Sequence, residues 1–170
     1  MSAAQEDHVL RIVVGVDGSP CSVRALQWAV RQAQLTGGSV DAVFAWEYPT
    51  SYGGYGWVPY GFAEGTDFEE VAGCILTDSI SQAASPGDSV SVRPSVVRGN
   101  PAQVLLDAAR GADLLVVGSR GQHGFTAALL GSIAQYCVYH AGCPVVVIRE
   151  QRNAARETAT HAAGRTTGGA

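Results

Sequence analysis

Five short apolar runs alternate with segments of helical period along the chain. The runs span residues 11–17, 40–46, 90–97, 113–118 and 144–148. All except the third are nearly continuous in Val, Ile, Leu, Phe and Ala, as in strands that are buried on both faces of a parallel sheet. The third alternates apolar residues with Ser and Arg and contains Pro94. Because proline cannot donate a backbone hydrogen bond, this pattern predicts an edge strand.

The segments between the runs carry start and stop signals for helices. Ser19-Pro20 and Asn100-Pro101 each combine an N-cap residue with a proline at the first helical position, and glycines near residues 37 and 111 supply the stops. Further helices are predicted over residues 68–84 and 132–142. Helical spacing predicts these inward residues: Val23, Leu26, Val30 and Ala33; Phe68, Val71, Ile75 and Ile80; Val104, Leu105 and Ala108.

Alternating strands and helices predict one domain with a doubly wound parallel sheet, an α/β fold with helices on both faces. We place this domain at residues 11–149, between an N-terminal tail, 1–10, and a C-terminal tail, 150–170, whose composition predicts disorder. Residues 47–65 concentrate Tyr, Trp, Gly and Pro without a period. They predict a long loop, which either covers a ligand site or dimer surface or is exposed.

Charge and composition exclude several classes of protein. The net charge is −4, which argues against nucleic acid or an anionic membrane as a partner. The N-terminal residues do not resemble a secretory signal, and no apolar run is long enough to cross a membrane, so we expect a cytoplasmic protein. All 11 positive residues are Arg, and the lack of lysine excludes a Walker A lysine or a Schiff base.

The four cysteines form no CxxC pair and lie in apolar or helical contexts. They are predicted to be reduced core thiols. Cys137, His140 and Cys143 have a spacing that could offer three ligands to a metal, but no fourth ligand is evident. We therefore assign no metal site.

The loop after the fourth apolar run has the chemistry of a phosphate site. Gly118, Gly121 and Gly131 leave room for phosphate and allow positive φ, so that N–H groups can point inward, while Ser132 begins a helix. Arg120 would add a charge-assisted contact or would lie in solvent, and His123 is either a phosphate contact or an exposed loop residue. Asp17, before Gly18, is a turn residue or a ribose or metal contact.

The sequence resembles the universal stress protein family, whose ATP-binding members carry G-x2-G-x9-G-S/T after the fourth strand. VVGVDGSP, RGNPAQVLLDAARGADLLVVGSRG and LLGSIAQYCVYHAGCPVVVI extend the likeness over most of residues 11–148. The resemblance implies a flavodoxin-like sheet of order 3-2-1-4-5, a homodimer through strand 144–148, and ATP, with Mg2+, as cofactor. It implies these nucleotide-binding residues: Gly15, Val16, Asp17, Ala45, Gly118, Ser119, Arg120, Gly121, Gly124, Gly131, Ser132 and Ile133.

One departure from the family pattern concerns the phosphates. Ala134 stands where ATP-binding relatives often have Ser or Thr, which removes one possible hydrogen bond. The function indicated is a nucleotide-dependent switch or sensor in a stress response. A slow ATP hydrolase and a non-nucleotide interaction protein are the alternatives. No catalytic residue is assigned, because only Asp17 offers an acid near the inferred phosphates.

Overall fold

The computed structural model describes residues 9–47, 67–84, 89–121 and 130–149. The predictions for residues 1–8 and 150–170 of the tails, for the aromatic loop beyond Glu47 and for His123 and Gly124 lie outside these residues, whereas Leu10, at the end of the predicted N-terminal tail, packs against the core. Strands and helices alternate along the described chain, as the apolar pattern predicts. The elements are β1 Arg11–Gly15, α1 Pro20–Thr36, β2 Ser39–Trp46, α2 Phe68–Ala83, β3 Ser91–Arg98, α3 Pro101–Ala108, β4 Leu114–Gly118, α4 Ser132–His140 and β5 Val145–Ile148.

The strands form one parallel sheet of order β3-β2-β1-β4-β5, which confirms the predicted fold class and strand order. α1 and α2 bury their apolar residues against one face of the sheet, and α3 and α4 against the other. β3 is an edge strand, as Pro94 predicts, and pairs with β2 along its whole length. β1 and β4 lie side by side in the centre, where the winding reverses.

The helix starts follow the local signals. The Ser19 side chain accepts a hydrogen bond from the Ser22 N–H at the start of α1, and the Asn100 side chain accepts from two N–H groups at the start of α3. Gly37 ends α1 with φ 68°, and Gly111 follows α3 with φ 67°. Asp67 caps α2 through the N–H groups of Glu69 and Glu70, a cap that the sequence analysis missed.

The inward faces of two helices differ from prediction. In α2 the buried residues are Ala72, Leu76 and Ser79, and Phe68, Ile75 and Ile80 are only partly buried beside them. Val71 and, in α1, Val23 do not belong to the core. The prediction favoured large β-branched and aromatic residues, but the close fit of the helix to the sheet, and not residue size, decides which positions are fully buried.

The amino edge of the sheet, opposite the predicted ligand edge, is held by charged groups. The Arg11 guanidinium donates to the Asp41 carboxylate at 2.8 Å and to the carbonyls of Ala108 and Arg110 at the end of α3. Arg93 donates to the other Asp41 oxygen at 2.7 Å. This edge is therefore occupied by contacts within the fold. Among the described helices, none combines the length and hydropathy needed to cross a membrane.

Candidate functional site

The carboxyl ends of the two central strands form the candidate site. β1 ends at Gly15 and β4 at Gly118, and the two strands are hydrogen-bonded neighbours. α1 follows β1 on one face of the sheet, while α4 follows β4 on the other. In doubly wound sheets, ligands bind in the crevice that this reversal opens. The structure thus brings residues 15–19 and the described residues of the second motif, 118–121 and 130–132, to one edge.

The β1 side of the site is a closed network of short hydrogen bonds. The Ser19 N–H donates to Asp17 Oδ1 at 2.9 Å, and the Asp17 N–H donates to Ser22 Oγ at 3.2 Å. Gly18 between them has φ 78°, a conformation that glycine adopts without strain. Asp17 therefore makes the turn contact that the sequence offered as one alternative, and its role as a ribose or metal contact stays a prediction. Its second oxygen, Oδ2, points towards the β4 loop, as the position of Gly121 shows.

Gly118 packs against the first turn of α1. A Cβ built on Gly118 would lie 3.1 Å from the carbonyl carbon of Cys21 and 3.2 Å from the Ser22 nitrogen. Both contacts are with backbone, which cannot move aside cheaply. The lack of a side chain at Gly118 thus serves the approach of helix to strand. Gly118 thus has a packing role that the sequence analysis did not include, and its predicted role in leaving room for phosphate stays a prediction.

The positive φ predicted for the glycines of this loop is wrong for the three that the structure describes. The described residues with positive φ are Gly18, Gly37, Gly99 and Gly111. For Gly118 and Gly121 the reason for glycine is close approach and not backbone conformation. A Cβ on Gly121 would lie 2.7 Å from Asp17 Oδ2, so Gly121 lies directly against the Asp17 carboxylate.

The two ends of the glycine loop meet. The Gly131 N–H donates to the Ser119 carbonyl at 2.8 Å, and a Cβ on Gly131 would lie 4.0 Å from the Gly121 nitrogen. Residues separated by ten positions in the sequence are therefore adjacent. Arg120, between Ser119 and Gly121, is half-buried at this junction. The structure therefore brings Gly118, Arg120, Gly121 and Gly131 close together.

α4 begins without a side-chain cap. Its N-cap is Gly131, with φ −62° and ψ 153°, and within the described part of the chain it makes no side-chain cap hydrogen bond. Ser132 and Ile133 are exposed there, whereas Ala134 is buried in the core. α1, α2 and α3 all have side-chain caps. The N–H groups at the start of a helix attract anions, and only α4, among the described helices, lacks a capping side chain of its own.

Ser119 lies on the inner side of the site. Its side chain is buried, with Oγ 3.6 Å from the Cys21 sulfur. Its N–H donates to the Ile148 carbonyl at 2.7 Å, and the Cys21 thiol donates to the same carbonyl at 3.1 Å. Cys21 was missed as a site neighbour, although its place directly after Pro20 in the helix start could have indicated it. These contacts connect the ends of β4 and β5 to α1.

The remaining predicted residues line the strand ends. Val16 is buried, and its N–H donates to the Val43 carbonyl. Ala45, two residues further along β2, is half-buried beyond the end of β1. Gly15 lies beneath α3, since a Cβ on it would meet Leu105 Cδ1 at 2.9 Å. Beside this edge the sequence analysis also missed an aromatic contact, in which the rings of Trp46 and Phe68 stack with centroids 6.2 Å apart.

The thiols fit the predicted core role only in part. Cys21 and Cys137 are buried, but Cys74 is exposed, which contradicts the prediction that all four are core residues. Burial raises the pKa of the Cys137 thiol to about 11, and burial also raises the pKa of Cys143. Within the described ranges, no three His, Cys, Asp or Glu side chains are grouped so that they could hold a metal ion.

The fold and the site together define a doubly wound parallel α/β protein. At the carboxyl ends of β1 and β4, where the winding reverses, the described part of α4 begins without a side-chain cap. Comparison of the sequence then gives the family. The model of the universal stress protein family matches residues 8–149. The chain belongs to this family.

Curated relatives support the assignment. A universal stress protein of Mycobacterium tuberculosis is 36% identical over 169 residues, which cover 92% of this chain and 52% of the relative. One from Mycolicibacterium smegmatis is 33% identical over 146 residues, covering 86% of this chain and 48% of the relative. The chain therefore spans about half the length of the curated relatives it matches.

Solved structures share the fold. A universal stress protein in complex with cAMP aligns with TM-score 0.62 and 24% identity, covering 83% of this chain and 97% of that one. The universal stress protein of Archaeoglobus fulgidus in complex with dAMP aligns with TM-score 0.57 and 24% identity, covering 82% and 97%. Both neighbours are thus adenine nucleotide complexes on the same architecture.

Proposed function

We propose that this chain binds an adenine nucleotide, ATP with Mg2+, at the carboxyl edge of β1 and β4. The observation that carries the proposal is the start of α4, which has a glycine cap and no capping side chain. It lies where Gly121 and Gly131 approach each other. A phosphate would receive the hydrogen bonds of the first-turn N–H groups at the positive end of the helix dipole.

Charge and neighbouring structures support an anionic ligand of this kind. Between Arg120 and Arg149 the sequence contains no Asp, Glu, Lys or Arg, so Arg120 is the charged residue nearest in sequence to the start of α4. Its guanidinium is suited to phosphate oxygens. The cAMP and dAMP complexes of structural neighbours indicate the adenine nucleotide class. ATP and Mg2+ follow from the family resemblance.

We propose further that nucleotide occupancy serves regulation in a stress response and that the protein is a homodimer through residues 144–148. β5 is an edge strand of four apolar residues, and its outer N–H and C=O groups could pair with another strand. The cytoplasmic location stays a prediction. In the regulatory role, binding matters more than turnover, so phosphate release should be slow on the scale of ordinary enzymes.

The test introduces a capping side chain at the N-cap of α4. In Gly131→Asp the carboxylate would accept the first-turn N–H groups and place a negative charge where phosphate would bind. The backbone there is extended with negative φ, and a Cβ meets its nearest neighbour at 3.5 Å, so the fold should tolerate the change. We expect calorimetric titration with ATP and AMP to show binding in the wild type and none in this variant.

Gly142→Asp is the matched control. It adds the same side chain near the other end of α4, where a Cβ meets nothing within 4 Å, and it should leave nucleotide binding unchanged. Nucleotide-free wild type that binds neither ATP nor AMP would disprove the proposal. A phosphate-release assay run alongside addresses the alternative, because turnover of many per second would make the protein an enzyme.

A further inference from the structure

A buried thiol lies where three elements of the carboxyl edge meet. Cys21, the second residue of α1, is 5% exposed, yet among the described residues it belongs to neither of the two apolar clusters that pack on the sheet. Its sulfur instead contacts polar atoms at the ends of β4 and β5. A buried cysteine usually packs as a small apolar group, so these polar contacts indicate a different role.

The two contacts of the sulfur differ in direction. The Cys21 thiol donates to the Ile148 carbonyl at 3.1 Å. The Ser119 Oγ lies 3.6 Å from the same sulfur. Because a thiol has a single proton, and that proton is directed at Ile148, the Ser119 hydroxyl is the donor in the second contact. Cys21 therefore donates to the end of β5 and accepts from the residue that follows β4.

Ser119 is the residue at which β4 passes into the glycine loop. The pairing of β4 with β5 runs to Gly118 and Ile148, and the Ser119 N–H extends it by donating to the Ile148 carbonyl at 2.7 Å. The Ser119 carbonyl accepts the N–H of Gly131, the N-cap of α4, at 2.8 Å. The position of Ser119 thus sets the position of the start of α4 relative to the sheet.

Cys21 connects α1 to the same junction. A Cβ on Gly118 would lie 3.1 Å from the carbonyl carbon of Cys21, so helix and strand approach through their backbones, and the thiol adds the side-chain hydrogen bonds. Without the thiol, the Ile148 carbonyl would lose one donor. The Ser119 hydroxyl, which is buried, would lose the acceptor that Cys21 gives it. Since a buried polar group that loses its partner is costly, Ser119 would then be free to shift.

We propose that Cys21 is a positioning residue for the nucleotide site. Its two hydrogen bonds hold Ser119, and through Ser119 they hold Gly131, the N-cap of α4, where the first-turn N–H groups receive a phosphate. In this role Cys21 acts through Ser119 and does not contact the nucleotide itself. The proposal rests on the proposed function, because it assigns a role within that same site.

The experiment separates hydrogen bonding from packing with two variants of Cys21. Cys21→Ser keeps a group that can donate to Ile148 and accept from Ser119, whereas Cys21→Val fills the space with an apolar group that does neither. Calorimetric titration of the nucleotide-free full chain with ATP and Mg2+ measures affinity. We expect Cys21→Val to lower the affinity by about tenfold, as loss of one or two buried hydrogen bonds does. Cys21→Ser should stay within about threefold of wild type.

Two controls separate this role from a general loss of stability or of a thiol. Val40→Ala removes buried volume near the amino end of β2, at the opposite edge of the sheet. It should lower the urea midpoint of unfolding and leave ATP affinity unchanged. Cys74→Val replaces an exposed thiol on α2 and should leave ATP affinity unchanged as well. If Cys21→Val does not fold, Cys21→Ala, which lacks the same two hydrogen bonds, takes its place.

Four results would contradict the inference, and they differ in what they imply. Unchanged ATP affinity in Cys21→Val overturns the positioning role. An equal loss in Cys21→Ser and Cys21→Val also overturns it, because packing of the sulfur, and not hydrogen bonding, would then be responsible. A comparable loss in Val40→Ala overturns it by showing that affinity follows overall stability. Wild type that binds no ATP identifies failure of the proposed function, and this inference then fails with it.

Discussion

The starts of α1 and α4 lie at the same edge of the sheet, and they are built differently. α1 begins with Ser19, whose side chain accepts a first-turn N–H, and its backbone packs against Gly118. α4 begins with Gly131 and has no side-chain cap. Asp17 adds to the first network through the Ser19 N–H. Among the described residues, the start of α1 thus has a side-chain cap and the start of α4 has none.

This difference shows how the carboxyl edge of the sheet can be rigid at one helix start and accessible to a ligand at the other. Hydrogen bonds and close packing at α1 fix the ends of β1 and β4, because a buried helix start needs all its polar groups paired. The start of α4 is exposed at Ser132 and Ile133, and in the proposed function an anion would accept hydrogen bonds from its first-turn N–H groups. Because the start of α1 is fixed, the start of α4 has a defined position relative to it.

The largest effect on this contrast is expected from Gly118→Val. The new side chain would meet the α1 backbone within 3.1 to 3.2 Å, so α1 or β4 must shift. We expect the free energy of unfolding to fall by about 3 kcal/mol or more, as overpacking against backbone does. Urea denaturation measures it. Gly142→Val, placed where a Cβ meets nothing within 4 Å, is the control, and equal stability of both variants would contradict the packing role.

The role of Gly118 could not be predicted from the sequence. The spacing of glycines located the loop, but it could not tell whether Gly118 makes room for a ligand or for a helix. Both uses need the same missing Cβ, and the packed partner, Cys21 to Ser22, is distant in sequence. Positive φ was expected for the wrong glycines for the same reason. Close approach is a tertiary property that a local pattern does not contain.

Local signals were reliable where the physics is local. The caps at Ser19 and Asn100 and the αL stop at Gly37 were confirmed because each depends on residues within one turn. The strand order followed from alternation and from the family resemblance. The buried face of α2 was displaced towards Ala72 and Leu76, since the fit of the helix to the sheet, and not residue size, selects the central positions.

The next largest effect is expected at the start of α1, which Ser19 caps. Ser19→Ala removes the Oγ that accepts the Ser22 N–H at 3.2 Å, and the free energy of unfolding should fall by about 1 kcal/mol, the usual value for an N-cap. Nucleotide affinity should not change, because the first turn of α4 is untouched. Thermal unfolding and ATP titration of the same sample measure both. A large loss of ATP affinity at unchanged stability would mean that the α1 start is itself the ligand contact.

The smallest effect is expected at the open start, from Ser132→Ala. Ser132 is the first residue of α4, it is exposed, and its side chain makes no cap hydrogen bond in the described structure. Stability should therefore remain within about 0.5 kcal/mol of wild type, as for most surface substitutions. ATP affinity should fall by no more than about tenfold, because the hydroxyl is lost while the helix N–H groups remain. Calorimetric titration with ATP measures the affinity of Ser132→Ala, and Gly131→Asp, titrated in the same way, shows the expected complete loss for comparison. If Ser132→Ala abolishes binding as completely as Gly131→Asp does, the hydroxyl and not the N–H groups of the uncapped helix holds the phosphate, and the contrast between the two helix starts does not explain binding.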